Sequence, residues 1–421
     1  MKKLMMLLLS ALLLVVPLST ASANDDQAVT RGQFFKLVVD HLKYDAANIK
    51  AELPKDISAD SPYAQAAKIL KDKKIVTGFG DGTFKPNEKI TPAEASTIVA
   101  RILAIKGDAQ SALTAKYGIN FENNEALTLE KAQEVISKAL TSDDSALELV
   151  DKMTVAQNQQ NSYQANATIT MGFTMKEGTP KIPEMPASMK MNSALSFNKE
   201  KGMKQTITTK IPNPMTNEQL EMVMEQYYVP EGIFMKMPDP LTGEEQWIDM
   251  SASMPFTFKD LMKMTEDNMN VMNDLNRKYF FYRDLGMEKL NGTNHYKLAY
   301  SGKITSFKEI IDMMGTVFNE QSEAMLSSFG DLPDLEMAMT GYMWIDENTM
   351  LPTRQTIEYE MKLGGLKDEV IPFESIQYAM DFSYSNFNKV IDIVLPEEAK
   401  NAEKMPGLEE LLQEPAPSEQ K

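Results

Sequence analysis

At 421 residues and a net charge of −17, the chain is too long for one ordinary core and too acidic to neutralise phosphate, which excludes a nucleic-acid partner and adsorption to anionic lipid. It has no cysteine, which excludes disulfides, thiolate zinc sites, catalytic thiols and a lipid carried on a cleavage-site cysteine. Two domains and a tail are expected.

The first residues read as a secretory signal peptide. Lys2 and Lys3 form a positive start, Leu4 to Leu18 an apolar run, and Ala21-Ser22-Ala23 the small residues before a cleavage at Asn24. The apolar run falls short of the roughly 20 residues that a membrane span needs. No later stretch is long and apolar enough to span a bilayer, and the end of the chain lacks the apolar-then-basic pattern of sortase substrates. Export is expected, followed by diffusion or retention through a folded module.

From Val29 to about Leu140 the apolar spacing is helical. Thr30 is placed to cap a helix bearing Phe34, Leu37, Val38 and Leu42. Tyr63, Ala66, Ala67, Ile69 and Leu70 mark a second helix. A compact turn follows, Gly78-Phe79-Gly80-Asp81-Gly82-Thr83-Phe84-Lys85-Pro86-Asn87, leading to Ile90-Thr91-Pro92-Ala93-Glu94. There Thr91 can cap and Pro92 suits a first helical position. A weaker copy runs from Tyr117-Gly118-Ile119 to Leu127-Thr128-Leu129-Glu130 and on through Val135, Ile136 and Leu140.

These motifs resemble the S-layer homology family, whose repeat is a helix, a glycine-rich loop of the form G-x-x-D-G-T-F-x-P, and I-T-R-A-E opening a second helix. Residues 56–103 look like one full repeat, 29–43 like the second half of a preceding one, and 113–140 like a decayed third. The resemblance implies a three-pronged helical bundle that binds pyruvylated secondary cell-wall polysaccharide at the surface of a Gram-positive-type bacterium. It also implies the contacts. Arg31 stands at the family's arginine position, Gly78, Asp81 and Lys85 in the matching loop, and Tyr63 where an aromatic is usual. Fixed cations and backbone donors suit an acidic glycan. The same residues could instead only hold the bundle together. The arginine position is Pro92 in the second repeat and Leu129 in the third, so one or two competent grooves at most are expected.

After an amphipathic stretch at Leu147, Leu149, Val150 and Met153, the apolar period changes to two. Ile169, Met171, Phe173 and Met175 alternate with polar or small residues, as do Tyr296, Leu298 and Tyr300; Ile357, Tyr359 and Met361; and Tyr378, Met380 and Phe382. About ten or eleven such segments predict an antiparallel sheet or open barrel. Two helical stripes interrupt it, Phe258, Leu261, Met262, Met269 and Met272, then Phe307, Ile310, Ile311, Met314, Val317 and Phe318. They are expected to cover the concave face and enclose an apolar cavity.

This region resembles the LolA/LppX-like lipoprotein-carrier superfamily, on Leu290-Asn291-Gly292 with Tyr296-Lys297-Leu298, on Trp344-Ile345-Asp346 with Leu351-Pro352-Thr353-Arg354, and on Phe387-Asn388 with Leu395-Pro396-Glu397-Glu398-Ala399. The resemblance implies a half-barrel that holds acyl chains or other apolar ligands. The fold class is therefore α+β, a helical bundle followed by an antiparallel half-barrel with covering helices. The expected divisions are a signal peptide over 1–23, a wall-binding domain over 24–142, a β-rich domain over 143–400 and a disordered acidic tail over 401–421.

Of the 32 methionines, most fall in the second domain. Thioethers can bind Cu(I) or scavenge oxidants, and Met185, Met189 and Met191 or Met222 and Met224 form clusters. Their strand spacing is met more simply by an adaptable apolar lining. His41 and His295 are the only histidines, and no nucleophile elbow, phosphate loop or histidine-rich motif is present. No enzyme activity, cofactor or metal is expected. Two functions remain open: wall anchoring of a domain that binds a lipid or other apolar ligand, and an envelope-assembly role through protein contacts alone.

Overall fold

The computed structural model describes residues 27–44, 46, 49–121, 126–176, 188–212, 219–238, 243–252, 257–260, 262, 277, 279–305, 334–364 and 373–405. The expected signal peptide, the 307–318 helix, most of the 258–272 helix, Met185 and the tail beyond residue 405 lie outside these residues. The fold is α+β, in two compact units: Met1–Val99 with Asp108–Ala139, and Ala100–Gly107 with Leu140–Lys421.

The first unit carries α1 (Arg31–Leu42), α2 (Ala64–Asp72), all but the last turn of α3 (Pro92–Ile102), α4 (Ala109–Tyr117) and α5 (Leu129–Ala139). Threonines open three of them. Thr30 Oγ1 accepts from the Gln33 amide at 3.3 Å while the Thr30 amide donates to Gln33 Oε1 at 2.8 Å, a reciprocal capping box. Thr91 and Glu94 repeat it at 3.3 and 2.9 Å. Thr128 accepts from the Lys131 amide at 3.2 Å, but a lysine has no acceptor to return the bond.

The residues just before these threonines close a ring. The Val29 amide donates to Leu127 O at 2.8 Å, the Leu127 amide to Ile90 O at 3.0 Å, and the Ile90 amide to Val29 O at 2.9 Å. Three equivalent chain segments therefore meet at one centre. Around it Phe34, Phe35, Ile69, Leu70, Phe84, Val135 and Ile136 are buried, with Phe35 and Phe84 edge-to-face at 5.9 Å.

Helix α4 was not foreseen from the apolar spacing. Only Leu113 is buried on it, so it has almost no apolar stripe to read. It forms because Asp108 caps it, accepting from the Ser111 amide at 2.8 Å, and because its interior is rich in good helix formers.

The second unit opens with α6 (Asp144–Asn158) and continues with β1 (Ser162–Met175), β2 (Ser188–Asn198), β3 (Gly202–Pro212), β4 (Gln219–Val229), β5 (Gly232–Pro238), β6 (Glu245–Asp249), β7 (Phe280–Leu290), β8 (Thr293–Ile304), β9 (Asp334–Asp346), β10 (Pro352–Gly364), β11 (Phe373–Ser385) and β12 (Glu403–Lys404). They form one open, curled sheet in the order β12-β6-β5-β4-β3-β2-β1-β11-β10-β9-β8-β7. All neighbours are antiparallel except β12, which pairs in parallel with β6. Two meanders, β1 to β6 and β7 to β11, are thus joined through β1 and β11.

The register puts the expected apolar alternations on one face. Ile169 faces Met380 and Met191, and Met380 faces Ile357. At the β7 end this face is covered by α6, whose Ala146, Leu149, Val150 and Met153 pack on Phe280, Tyr282, Leu298, Tyr300 and Ile345. The start of α6 is tied to the edge strand, with the Asp143 amide donating to Tyr282 O at 2.9 Å and the Tyr282 amide to Ser142 Oγ at 3.0 Å.

The opposite face is polar, except for Tyr342 and the buried Trp344 on β9 and at the β4–β6 end. There Tyr227, Val229, Phe234 and Trp247 are covered by Ile391, Ile393 and Ala399 of the segment after β11. That segment is a strap. The Asn388 amide donates to Ser162 O at 2.8 Å, Asn198 Nδ2 to Ile391 O at 3.1 Å, and the strap ends in β12.

Leu298 is fully buried beneath α6, whereas Val390 on the strap is 99% exposed. Leu298→Ala is expected to destabilise the second unit by about 2–5 kcal/mol, and Val390→Ala by less than about 0.5 kcal/mol. Urea unfolding of the full chain checks both.

Candidate functional site

Arg31 opens α1, and its side chain is only 11% exposed. One edge of the guanidinium is held by Glu94. Nε donates to Glu94 Oε1 at 3.2 Å, and Nη2 bonds the same oxygen. Glu94 is itself the capping-box partner of α3, so the arginine is anchored to the start of the next repeat. Nη1 points to Glu88 Oε2 at 3.1 Å, and the Arg31 amide donates to Glu88 O at 2.9 Å. Burial disfavours the guanidinium charge, but the bonds to Glu94 and Glu88 outweigh it and raise its pKa.

Lys85 joins the same cluster. Its Nζ lies 3.7 Å from Glu88 Oε1 and 4.7 Å from the centre of the Phe79 ring, while the Arg31 guanidinium carbon lies 5.1 Å from that centre. Phe79 remains 39% exposed with both cations against its ring. The backbone fixes this loop. Asp56 accepts from the amides of Phe84 and Lys85 at 2.9 and 2.6 Å, and a turn brings the Glu88 amide to Lys85 O at 3.1 Å. Exposed ion pairs of this kind are worth ~0–1 kcal/mol, so the Glu88 side chain, 58% exposed, is held lightly.

The other expected contacts have different surroundings. Asp81 folds its own loop, its Oδ1 accepting from the Thr83 amide at 2.9 Å and hydroxyl at 2.7 Å, and these bonds lower its pKa. Gly78 has φ +75°, and a Cβ there would lie 2.5 Å from the Phe84 ring, so it shapes the loop. Tyr63 packs against Gly32, where a Cβ would come within 2.4 Å of its ring. It lines a separate cavity of about 230 Å³ with Gln33, Lys36, Leu37 and Leu129. Phe79, Glu88 and Glu94 were not singled out from sequence. Glu94 was visible as the last residue of the T-P-A-E match, but Glu88 had no local signal.

In the second unit the apolar face continues past the α6 cluster onto β1 to β5. Met171, Met189, Met191, Met222, Met224 and Met235 all lie on it and are half-buried. Met171 and Met189 are direct cross-strand partners, and Thr209 of β3 stands between Met191 and Met222. Unbranched thioethers offer such a face an adaptable apolar surface. The polar face carries a hollow of about 500 Å³ lined by Asn166, Thr168, Asn192, Thr206 and Thr208, with the bidentate pair of Arg354 and Asp381 (3.0 and 2.7 Å) beside them. His295 is buried, its Nδ1 2.9 Å from Thr293 O, so its ring is held by the strand that bears it. Among the described residues no group of three or more His, Asp or Glu is placed to hold a metal ion, and no helix is long and apolar enough to cross a membrane.

Residues 55–96 carry an S-layer homology domain. Residues 145–404 match a family described as Family of unknown function (DUF6612). No curated protein matches the chain. Among solved structures it is similar to LprF from Mycobacterium bovis, at 11% identity over 61% of this chain and 99% of that one, with a TM-score of 0.32. It is also similar to the lipoprotein LppX from Mycobacterium tuberculosis, at 11% identity over 60% and 100% of the two chains, TM-score 0.28. A DUF1329 family protein from Desulfovibrio piger is similar at 12% identity over 60% and 95%, TM-score 0.21.

Burial works to raise the Glu94 pKa, but its bonds to Thr91 and Arg31 prevail and lower it. A lowered carboxyl contributes stability above its unfolded value, which is lost as pH falls through the folded one. The thermal midpoint of the first unit is therefore expected to fall as pH drops below the ordinary value of 4.5, and Glu94→Gln to flatten that dependence at a lower starting stability. Calorimetry of the full chain across that range checks it.

Proposed function

The chain belongs to DUF6612, a family of unknown function, and we propose that it is a bacterial surface protein that grips the wall through one unit and binds an apolar ligand on the other. The S-layer homology domain at residues 55–96 supports the first half of this reading. The ligand half rests on one observation, the continuous half-buried methionine-rich face of the sheet across β1 to β5.

On this reading residues 1–23 direct export, 24–142 bind the wall, 143–400 form a half-barrel, and 401–421 trail as an acidic tail. The wall ligand is secondary cell-wall polysaccharide bearing pyruvate ketals. Arg31 and Lys85 meet its carboxylate, Gly78 and Asp81 hold the loop that presents Lys85, and Tyr63 contributes an aromatic wall nearby. An arginine locked along one edge by Glu94 holds Nη1 on its other edge in place, toward the exposed Glu88 carboxylate, without a search for geometry. The apolar ligand is a lipid or a molecule of similar shape. Burying each of its methylenes against the methionines gains about 0.8 kcal/mol, which outweighs the loss of their modest freedom. The protein performs no chemistry on it.

Arg31→Ala is expected to weaken retention of the full chain on purified pyruvylated wall polysaccharide by tenfold or more, roughly the worth of one charge-assisted bond. Unchanged retention would remove Arg31 from the contact. Native mass spectrometry of the purified chain is expected to find a co-purified apolar molecule, and a solvatochromic probe to brighten on binding. The paired change Met171→Lys with Met189→Lys should abolish the probe signal while leaving the far-ultraviolet dichroism intact. Absence of both a co-purified molecule and a probe signal sinks the ligand half.

A further inference from the structure

The cluster at Arg31 contains its own acid. Glu88 Oε2 lies 3.1 Å from Arg31 Nη1, and Glu88 Oε1 lies 3.7 Å from Lys85 Nζ. One carboxylate therefore bridges both cations, beside an aromatic ring that is 39% exposed. The three parts differ in how firmly they are held. Arg31 is 11% exposed and locked by Glu94, and its amide is bonded to the Glu88 carbonyl at 2.9 Å. Lys85 sits on a backbone fixed by Asp56. The Glu88 side chain is 58% exposed, and among the described residues its ion pairs are with these two cations alone. The seat is rigid and its occupant is loose.

We infer that Glu88 occupies the seat of the ligand's carboxylate, and that an acidic sugar binds by displacing it from Arg31 and Lys85. This rests on the wall-binding reading above and adds to it a residue that sets affinity. A tethered acid makes the empty site stable without a counter-ion, because the two cations are never left unpaired. It also discriminates. A neutral glycan cannot replace the lost ion pairs, so only a chain carrying its own carboxylate can open the site. Wall affinity is then the difference between two carboxylates and is held below what the cations alone would give.

Glu88→Gln keeps the side chain's size and removes its charge. The full-length variant is expected to bind pyruvylated wall polysaccharide roughly tenfold more tightly than the parent in titration calorimetry. The same polysaccharide with its ketals removed by mild acid should show no gain. Glu88→Asp, which keeps the charge, should stay near the parent, and Glu94→Gln should not tighten binding, because Glu94 anchors rather than occupies. If the parent binds and Glu88→Gln binds equally or more weakly, Glu88 does not hold the seat, although the wall reading survives. A gain that is equal for both polysaccharides overturns the carboxylate assignment. If neither parent nor variant binds either polysaccharide, the wall reading fails with it.

Discussion

Three backbone hydrogen bonds, from Val29 to Leu127, Leu127 to Ile90 and Ile90 back to Val29, hold the first unit at its centre. Each residue donates through its amide and accepts through its carbonyl in the same ring, so no member can be removed without orphaning a buried polar group. The ring places the three threonine caps side by side, and those caps set where α1, α3 and α5 begin. It also brings Arg31, which follows Thr30, against Glu88 and Glu94, which flank Thr91. The charged cluster is a by-product of closing the ring, which is why it joins residues about sixty positions apart.

The second unit obeys a different constraint. Its sheet is long and one-sided, and a one-sided sheet must find cover for its apolar face. The chain meets this locally at each end. Helix α6 seals β7 to β9, and the strap after β11 seals the few apolar side chains that β4 to β6 present on the other face. Both covers also protect strand edges, which otherwise offer unpaired amides to another chain. Residues 142–143 bond the free side of β7, and β12 pairs with β6. Between them the methionine face of β1 to β5 stays half-buried.

Local features were legible in the sequence and tertiary ones were not. The capping roles of Thr30 and Thr91, the first-turn position of Pro92 and the strand alternations at Ile169, Leu298, Ile357 and Met380 follow from neighbours within four residues, and the structure bears them out. Helix α4 escaped because it buries a single leucine. The pattern Phe387-Asn388 to Ala399 was noticed as a motif, but its role as a strap depends on β6 lying beside it, and no spacing rule conveys that. Arg31 stood out by resemblance. Its carboxylate partners could not, since an acidic residue in an acidic chain carries no signal until the fold brings it to a cation.

The pairing of β1 with β11 joins strands more than two hundred residues apart, with registers such as Ile169 to Met380. Each meander on either side of that seam is built from neighbours in sequence and can zip as it is made. The seam cannot close until the last long strand has arrived. For a chain made from its first residue onward, this makes completion of synthesis a condition for joining the two halves. Until then β1 and β11 are both open edges with apolar faces, and the interval between emergence and closure is when self-association would compete with folding.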